Sequence, residues 1–202
     1  MRSSAEPAAA WVGLAALLSV GACLAALAEA RNLDWQPALA WREPWRAWSA
    51  AFVHFSALHL AANLAGSAAV AALGWVARVP RRSVVAWAVA WPLTHYALLL
   101  RPDLLRYGGL SGVLHAGVAV VGLFLVLRRR GRHRLIGAAI LVGLIAKVLG
   151  EAPWDAALRY PAAWDIAVAP FAHAAGVVAG LATAAAAEFL RRPASSALHG
   201  ET

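Results

Sequence analysis

Apolar residues run along the chain in six long, nearly uncharged stretches, separated by shorter segments that carry most of the arginines, tryptophans and acids. A bilayer-spanning helix needs about 20 mostly apolar residues. The stretches that qualify are Ala9–Ala28, Ala57–Ala77, Val84–Leu100, Leu110–Leu127, Leu135–Leu149 and Ile166–Leu190, the fifth short and the sixth long. The pattern predicts an all-α membrane protein. A six-transmembrane-helix domain would occupy residues 9–190, with tails at 1–8 and 191–202. The many alanines favour close helix contact, because small side chains let backbones approach in lipid. No internal repeat, Ser/Gly linker or low-complexity tract interrupts the series.

Composition agrees with this pattern. The 202 residues are 62% hydrophobic and 14% charged, and the mean hydropathy is +0.64. A soluble domain carries about 25% charged residues. The deficit excludes a disordered chain, a nucleic-acid binder built on a basic face and an ordinary soluble enzyme. The net charge of +8 resides in arginine clusters between apolar runs, where it sets topology. The lipid bilayer, not nucleic acid, is the expected environment. The single cysteine, Cys23, lies in an apolar run and cannot form an intramolecular disulfide.

Orientation follows from the basic residues. One face collects Arg2, Arg78, Arg81, Arg82, Arg128, Arg129, Arg130, Arg132, Arg134, Arg191 and Arg192. The other has Arg31, Arg42, Arg46, Arg101, Arg106 and Arg159, while Lys147 falls inside the fifth stretch. The positive-inside rule puts both termini in the cytoplasm. The opposite face is rich in tryptophan (Trp35, Trp41, Trp45, Trp48, Trp154 and Trp164), which fits interfacial anchoring. Arg2, the first apolar stretch and Ala28-Glu29-Ala30 together mimic a secretory signal with its cleavage site. The run from Trp11 to Leu27 is longer than such signals usually have, so a retained helix is expected.

Ionisable residues inside a span are costly and are functional candidates by default. Here they are mainly histidines: His59, His95, His115 and His173, with His54 just before the second span. Ser111 lies between glycines in Tyr107-Gly108-Gly109-Leu110-Ser111-Gly112, at the head of the fourth span. Glycines allow a tight turn and close backbone approach. The helix N-terminus that follows offers N–H groups for an oxyanion. His173 precedes Gly176 and Gly180, a small-residue face on which another helix can pack. If that helix is the fourth span, Ser111 and His173 meet, and the imidazole can serve as general base. His173 would lie about 12 Å below the outer end of its span, so the segment before Ser111 must dip into the protein. His59 and Asn63 share one helix face and suit an oxyanion site, the alternative being a polar clasp between helices.

No third triad member is evident. None of the ten acids lies in mid-span, and Glu188 is about 22 Å along the helix from His173. A Ser–His dyad is therefore expected. His115, one turn below Ser111, either packs on His173 or hydrogen-bonds to it. No metal or cofactor is expected: there is no H-E-x-x-H, and no carboxylate is expected near His59 or His173.

Taken together these segments resemble the rhomboid intramembrane serine proteases. Glu43-Pro44-Trp45-Arg46 is similar to the family's E-x-W-R loop. His54 through Asn63 is similar to its H-x₄-H-x₃-N helix, Gly109-Leu110-Ser111-Gly112 to its G-x-S-G, and Ala172-His173-x-x-Gly176-x-x-x-Gly180 to its A-H-x-x-G-x-x-x-G. The resemblance implies a six-helix rhomboid-like bundle with Ser111 as nucleophile and His173 as base. It also implies His59, Asn63 and the Ser111 N–H as oxyanion hole, with His54, Gly109, Gly112 and His115 in support. Where rhomboids commonly carry a tyrosine stacked on the histidine, this chain has His115. That departure, with the compact length, resembles the rhombosortase subgroup. It implies membrane-anchored protein substrates with a Gly-rich or helix-weak segment, processed at a C-terminal Gly-Gly-type tail. The setting implied is a bacterial inner membrane, with the site open to the exocytoplasmic side. A general rhomboid protease, a non-catalytic helix binder and a proton-relay membrane protein are the alternatives.

Overall fold

The computed structural model describes residues 5–190. Arg2, Arg191, Arg192 and the expected tail at 191–202 lie outside the described residues. Seven α-helices occur among those described: α1 (Ala5–Leu27), the short α2 (Arg46–Ser49), α3 (Ala57–Ala77), α4 (Arg81–Tyr96), α5 (Ser111–Arg128), α6 (Arg132–Gly150) and α7 (Pro170–Phe189). Six of them are long and apolar enough to cross a membrane. A 3₁₀ turn over Ala97–Leu100 extends α4, so the expected spans all appear, the second with its expected bounds. The first and the last differ most: α1 starts four residues earlier than expected, and the last starts four residues later. It starts at Pro170, not Ile166, because proline suits the first helical turn and Val168 pairs instead with Arg159 in an isolated antiparallel bridge.

Helix α5 is the most buried span and packs against α3, α4, α6 and α7. Its tightest neighbour is α7. A Cβ added at Gly176 would collide with the Gly112 carbonyl, and one at Gly180 would lie 2.5 Å from the Ala116 oxygen. The glycine face of α7 therefore lets two backbones touch, as its sequence suggests. On the other side, α1 contributes Trp11, whose ring lies 4.3 Å from that of Trp87. Both indoles are fully buried and both N–H groups are satisfied, Trp11 by the Val70 carbonyl and Trp87 by the Val113 carbonyl. A buried indole needs such a partner.

The two ends of the bundle differ in chemistry. At one end Glu188 is buried between Arg82, 2.7 Å away, and Arg128. At the other, the loop between α1 and α3 folds over the helices. Arg46 binds Glu43 and Asp34, and Asp34, fully buried, also accepts from Arg106 at 2.6 Å. This ion network ties the E-x-W-R segment to the chain just before α5. Trp35 departs from its expected role as an interfacial anchor. It is fully buried in the apolar cluster beneath this loop, edge-on to Tyr96, whereas Trp41, Trp45, Trp48, Trp154 and Trp164 are exposed.

Candidate active site

The heads of α3, α5 and α7 and the tail of α6 come together at the end of the bundle that carries the α1–α3 loop, and their side chains line a cavity of about 560 Å³. Residues Tyr107–Leu110 lead into α5 as buried irregular backbone. Trp35 and Tyr107 exchange both backbone hydrogen bonds, and the Gly109 N–H donates to the Ala50 carbonyl. Buried backbone must find such partners. Gly109 has φ +132°, and a Cβ there would sit 2.7 Å from His59 Nε2. Only glycine fits both constraints.

Ser111 is the first residue of α5. Its Oγ lies 3.0 Å from His173 Nε2 and 3.3 Å from the Tyr107 hydroxyl. Burial raises the Tyr107 pKa, so the phenol remains protonated at neutral pH. His173 is the fourth residue of α7, hence only about 4.5 Å from its start at 1.5 Å per residue. The greater depth expected from the sequence came from starting the span four residues too early. His115 stacks on His173, with ring centroids 4.3 Å apart and planes 11° from parallel. Its Nδ1–H donates to the Ser111 carbonyl at 2.6 Å.

The shallow position of His173 overturns a second expectation. Glu151, immediately after α6, places Oε2 2.6 Å from His173 Nδ1. Lys147, one turn back, reaches Glu151 Oε1 at 2.8 Å, His115 Nε2 at 2.8 Å and His173 Nδ1 at 3.2 Å. The histidine expected to lack a carboxylate thus has one in hydrogen-bond contact. Burial by itself would raise the Glu151 pKa, but the His173 hydrogen bond and the Lys147 ammonium hold it below the usual carboxylate value.

His59 and Asn63 face the same cavity from α3. Ser56 caps this helix by accepting the His59 N–H at 3.1 Å, and its own hydroxyl donates to Asp165. Asn63 Nδ2 donates to His54 Nε2 at 3.1 Å, while His54 Nδ1 donates to the Phe52 carbonyl. Burial lowers the His54 pKa, against the opposing effect of the Phe52 hydrogen bond. A neutral His54 can accept from one Asn63 N–H and leave the second for the cavity. His59 Nδ1 is buried without a partner among the described residues. A Cβ added at Gly112 would lie 2.7 Å from the Ala172 oxygen, so this glycine allows the close α5–α7 approach. Thus Ser111, His173, His59, Asn63, His115, Gly109, Gly112 and His54 all gather here. His95 does not: it is fully buried and donates to the Ala47 carbonyl in α2. Among the described residues no group of three His, Cys, Asp or Glu side chains is arranged to hold a metal ion.

A bundle of six helices long and apolar enough to cross a membrane, with a serine and a histidine in contact beside a cavity, is the architecture of an integral membrane protein. The family model described as Rhomboid domain matches residues 41–188, and the chain belongs to the rhomboid family. The family implies intramembrane serine protease activity on membrane-protein substrates. No curated protein matches the chain.

Proposed function

We propose that the protein is an intramembrane serine endopeptidase with Ser111 as nucleophile and His173 as general base. The observation that carries this reading is the 3.0 Å contact between Ser111 Oγ and His173 Nε2 at the head of a helix and the edge of a cavity. Ser111 Oγ adds to the scissile carbonyl carbon as its proton passes to Nε2. The carbonyl oxygen becomes an oxyanion, held by His59, Asn63 and the Ser111 N–H. Collapse breaks the C–N bond, and the leaving amine takes the proton from Nε2. Water, deprotonated by the same nitrogen, then hydrolyses the acyl-enzyme ester and regenerates Ser111.

The substrate reading is rhombosortase-like: a single-span protein with a Gly-rich stretch at the outer boundary and a basic end. It is supported by Gly-Leu-Ser-Gly-Val-Leu-His at 109–115 and by His115 lying flat on His173. A helix hides its carbonyls in its own hydrogen bonds. Glycine costs a helix about 1 kcal/mol per residue relative to alanine, so a glycine pair opens the chain near the boundary. In this reading the enzyme sits in a bacterial inner membrane, with both termini in the cytoplasm and the cavity on the exocytoplasmic side; the expected tail at 1–8 is shortened, because α1 begins at Ala5.

Two measurements test the reading. A fluorophosphonate probe should label the wild type and not Ser111→Ala; labelling of both equally ends the protease assignment. A single-span substrate with two boundary glycines should be cut faster than its alanine counterpart, within or beside the glycines. Equal cleavage favours a general rhomboid protease.

A further inference from the structure

His173 Nε2 must be unprotonated to take the Ser111 proton, so its Nδ1 carries the ring hydrogen. That hydrogen points at Glu151 Oε2, 2.6 Å away. Every other donor around the site then falls into place. Lys147 donates to Glu151 Oε1 and to His115 Nε2, both at 2.8 Å. His115 Nε2 is free to accept because its Nδ1–H is committed to the Ser111 carbonyl. The hydrogen bonds form a ring that leaves Ser111 by its hydroxyl and returns to Ser111 by its carbonyl, and each donor within the ring meets an acceptor. Outside the ring, Lys147 Nζ also lies 3.2 Å from His173 Nδ1, where two donors face each other and share the Glu151 carboxylate between them.

We propose that Glu151 is a positioning residue that completes a Ser111–His173–Glu151 triad, and that Lys147 holds its carboxylate in place. The proposal rests on the protease reading above and extends it beyond a dyad. During acylation the proton moves from Ser111 Oγ to His173 Nε2 and no further. Glu151 stays ionised and receives only the Nδ1–H hydrogen bond, which strengthens as the ring becomes an imidazolium. It fixes the tautomer and the ring plane, the contribution a buried carboxylate makes to a serine–histidine pair. Lys147 makes the opposite electrostatic contribution to the imidazolium. Its role is to hold Glu151 through Oε1, so that Oε2 faces the ring.

The test is the rate of fluorophosphonate labelling at Ser111, with kcat and KM for a single-span substrate, in the full-length detergent-solubilised protein. Glutamine at 151 has one acceptor oxygen for two donors, so Glu151→Gln cannot satisfy both His173 and Lys147. Glu151→Gln is expected to label about 10²–10⁴-fold more slowly, with kcat falling in parallel, KM nearly unchanged and the thermal midpoint close to wild type. Glu151→Asp is expected to recover at least about tenfold of that loss, because it restores the charge. Lys147→Met is expected to lose about tenfold. Wild-type labelling rates in Glu151→Gln overturn the triad while leaving the protease reading intact. A loss that aspartate does not relieve and that tracks a fallen thermal midpoint also overturns it. A wild-type protein that takes no probe at Ser111 overturns the protease reading itself, and the triad with it.

Discussion

The imidazole of His115 lies flat against that of His173, centroids 4.3 Å apart, and makes no hydrogen bond to it. Its two nitrogens are used elsewhere, on the Ser111 carbonyl and on Lys147. The stack holds one face of His173 while Glu151 holds its edge. An offset aromatic pair contributes about 0.5–1.5 kcal/mol. His115→Tyr keeps a ring and is expected to lose activity only severalfold. His115→Ala removes the stack and both hydrogen bonds and is expected to lose at least about tenfold more. Equal rates in the two variants, measured by probe labelling, would assign no role to the ring.

Gly109 gives a sharper test of how the site is assembled. An alanine there must adopt φ +132° and place its Cβ 2.7 Å from His59 Nε2. Gly109→Ala is expected to slow labelling by about 10²-fold or more, the scale of losing an oxyanion donor. Gly143→Ala, where an added Cβ meets nothing within 4 Å, serves as the control and is expected to be silent. Similar rates for both variants would mean that His59 tolerates displacement.

His59 and Asn63 are expected to stabilise the transition state more than the bound substrate. His59→Ala and Asn63→Ala should each lower kcat by about 10²–10³-fold with a small change in KM. Ser111→Ala and His173→Ala should each abolish cleavage, and the double variant should be no worse, since the pair acts as a unit. A rise in KM alone for the α3 variants would return these residues to an interhelical clasp.

The His54–Asn63 hydrogen bond makes a prediction about acid. The unfolded chain protonates His54 near its ordinary pKa of 6.5, whereas burial delays protonation in the folded protein to lower pH. The unfolded state therefore binds more protons, and stability declines as pH falls from about 6.5 towards the folded value. Thermal unfolding between pH 8 and 5 should show this loss in the wild type and less of it in His54→Gln. Equal slopes would assign the acid loss to other groups.

Topology is testable directly. Reporter fusions at residue 131 should be cytoplasmic and fusions near Trp154 exocytoplasmic, because arginine-rich segments are retained on the cytoplasmic side. The reverse result would turn the cavity towards the cytoplasm and remove the basis for a substrate with an outer glycine stretch.

Hydropathy alone determined the six spans, since a bilayer demands about 20 apolar residues whatever the protein does. The polar residues inside those spans marked Ser111, His173, His59, Asn63 and His115, because burying them without purpose is costly. Glycine spacing in α7 marked a face for close packing, but that α5 is the helix packed there was settled by the tertiary structure. Tertiary structure decided what depended on depth and on loops. The start of α7 at Pro170, set by a loop bridge between Arg159 and Val168, brought His173 nearer to the end of its span. That shift brought it level with the end of α6, where Glu151 stands next to Lys147. In the sequence Glu151 is a loop acid and Lys147 an isolated cation four residues before it. Their convergence on one imidazole depends on helix register across three spans, which local periodicity does not encode. Trp35 was misplaced for a related reason: interfacial propensity is an average, and its burial comes from a two-residue bridge to Tyr107 that only the folded loop creates.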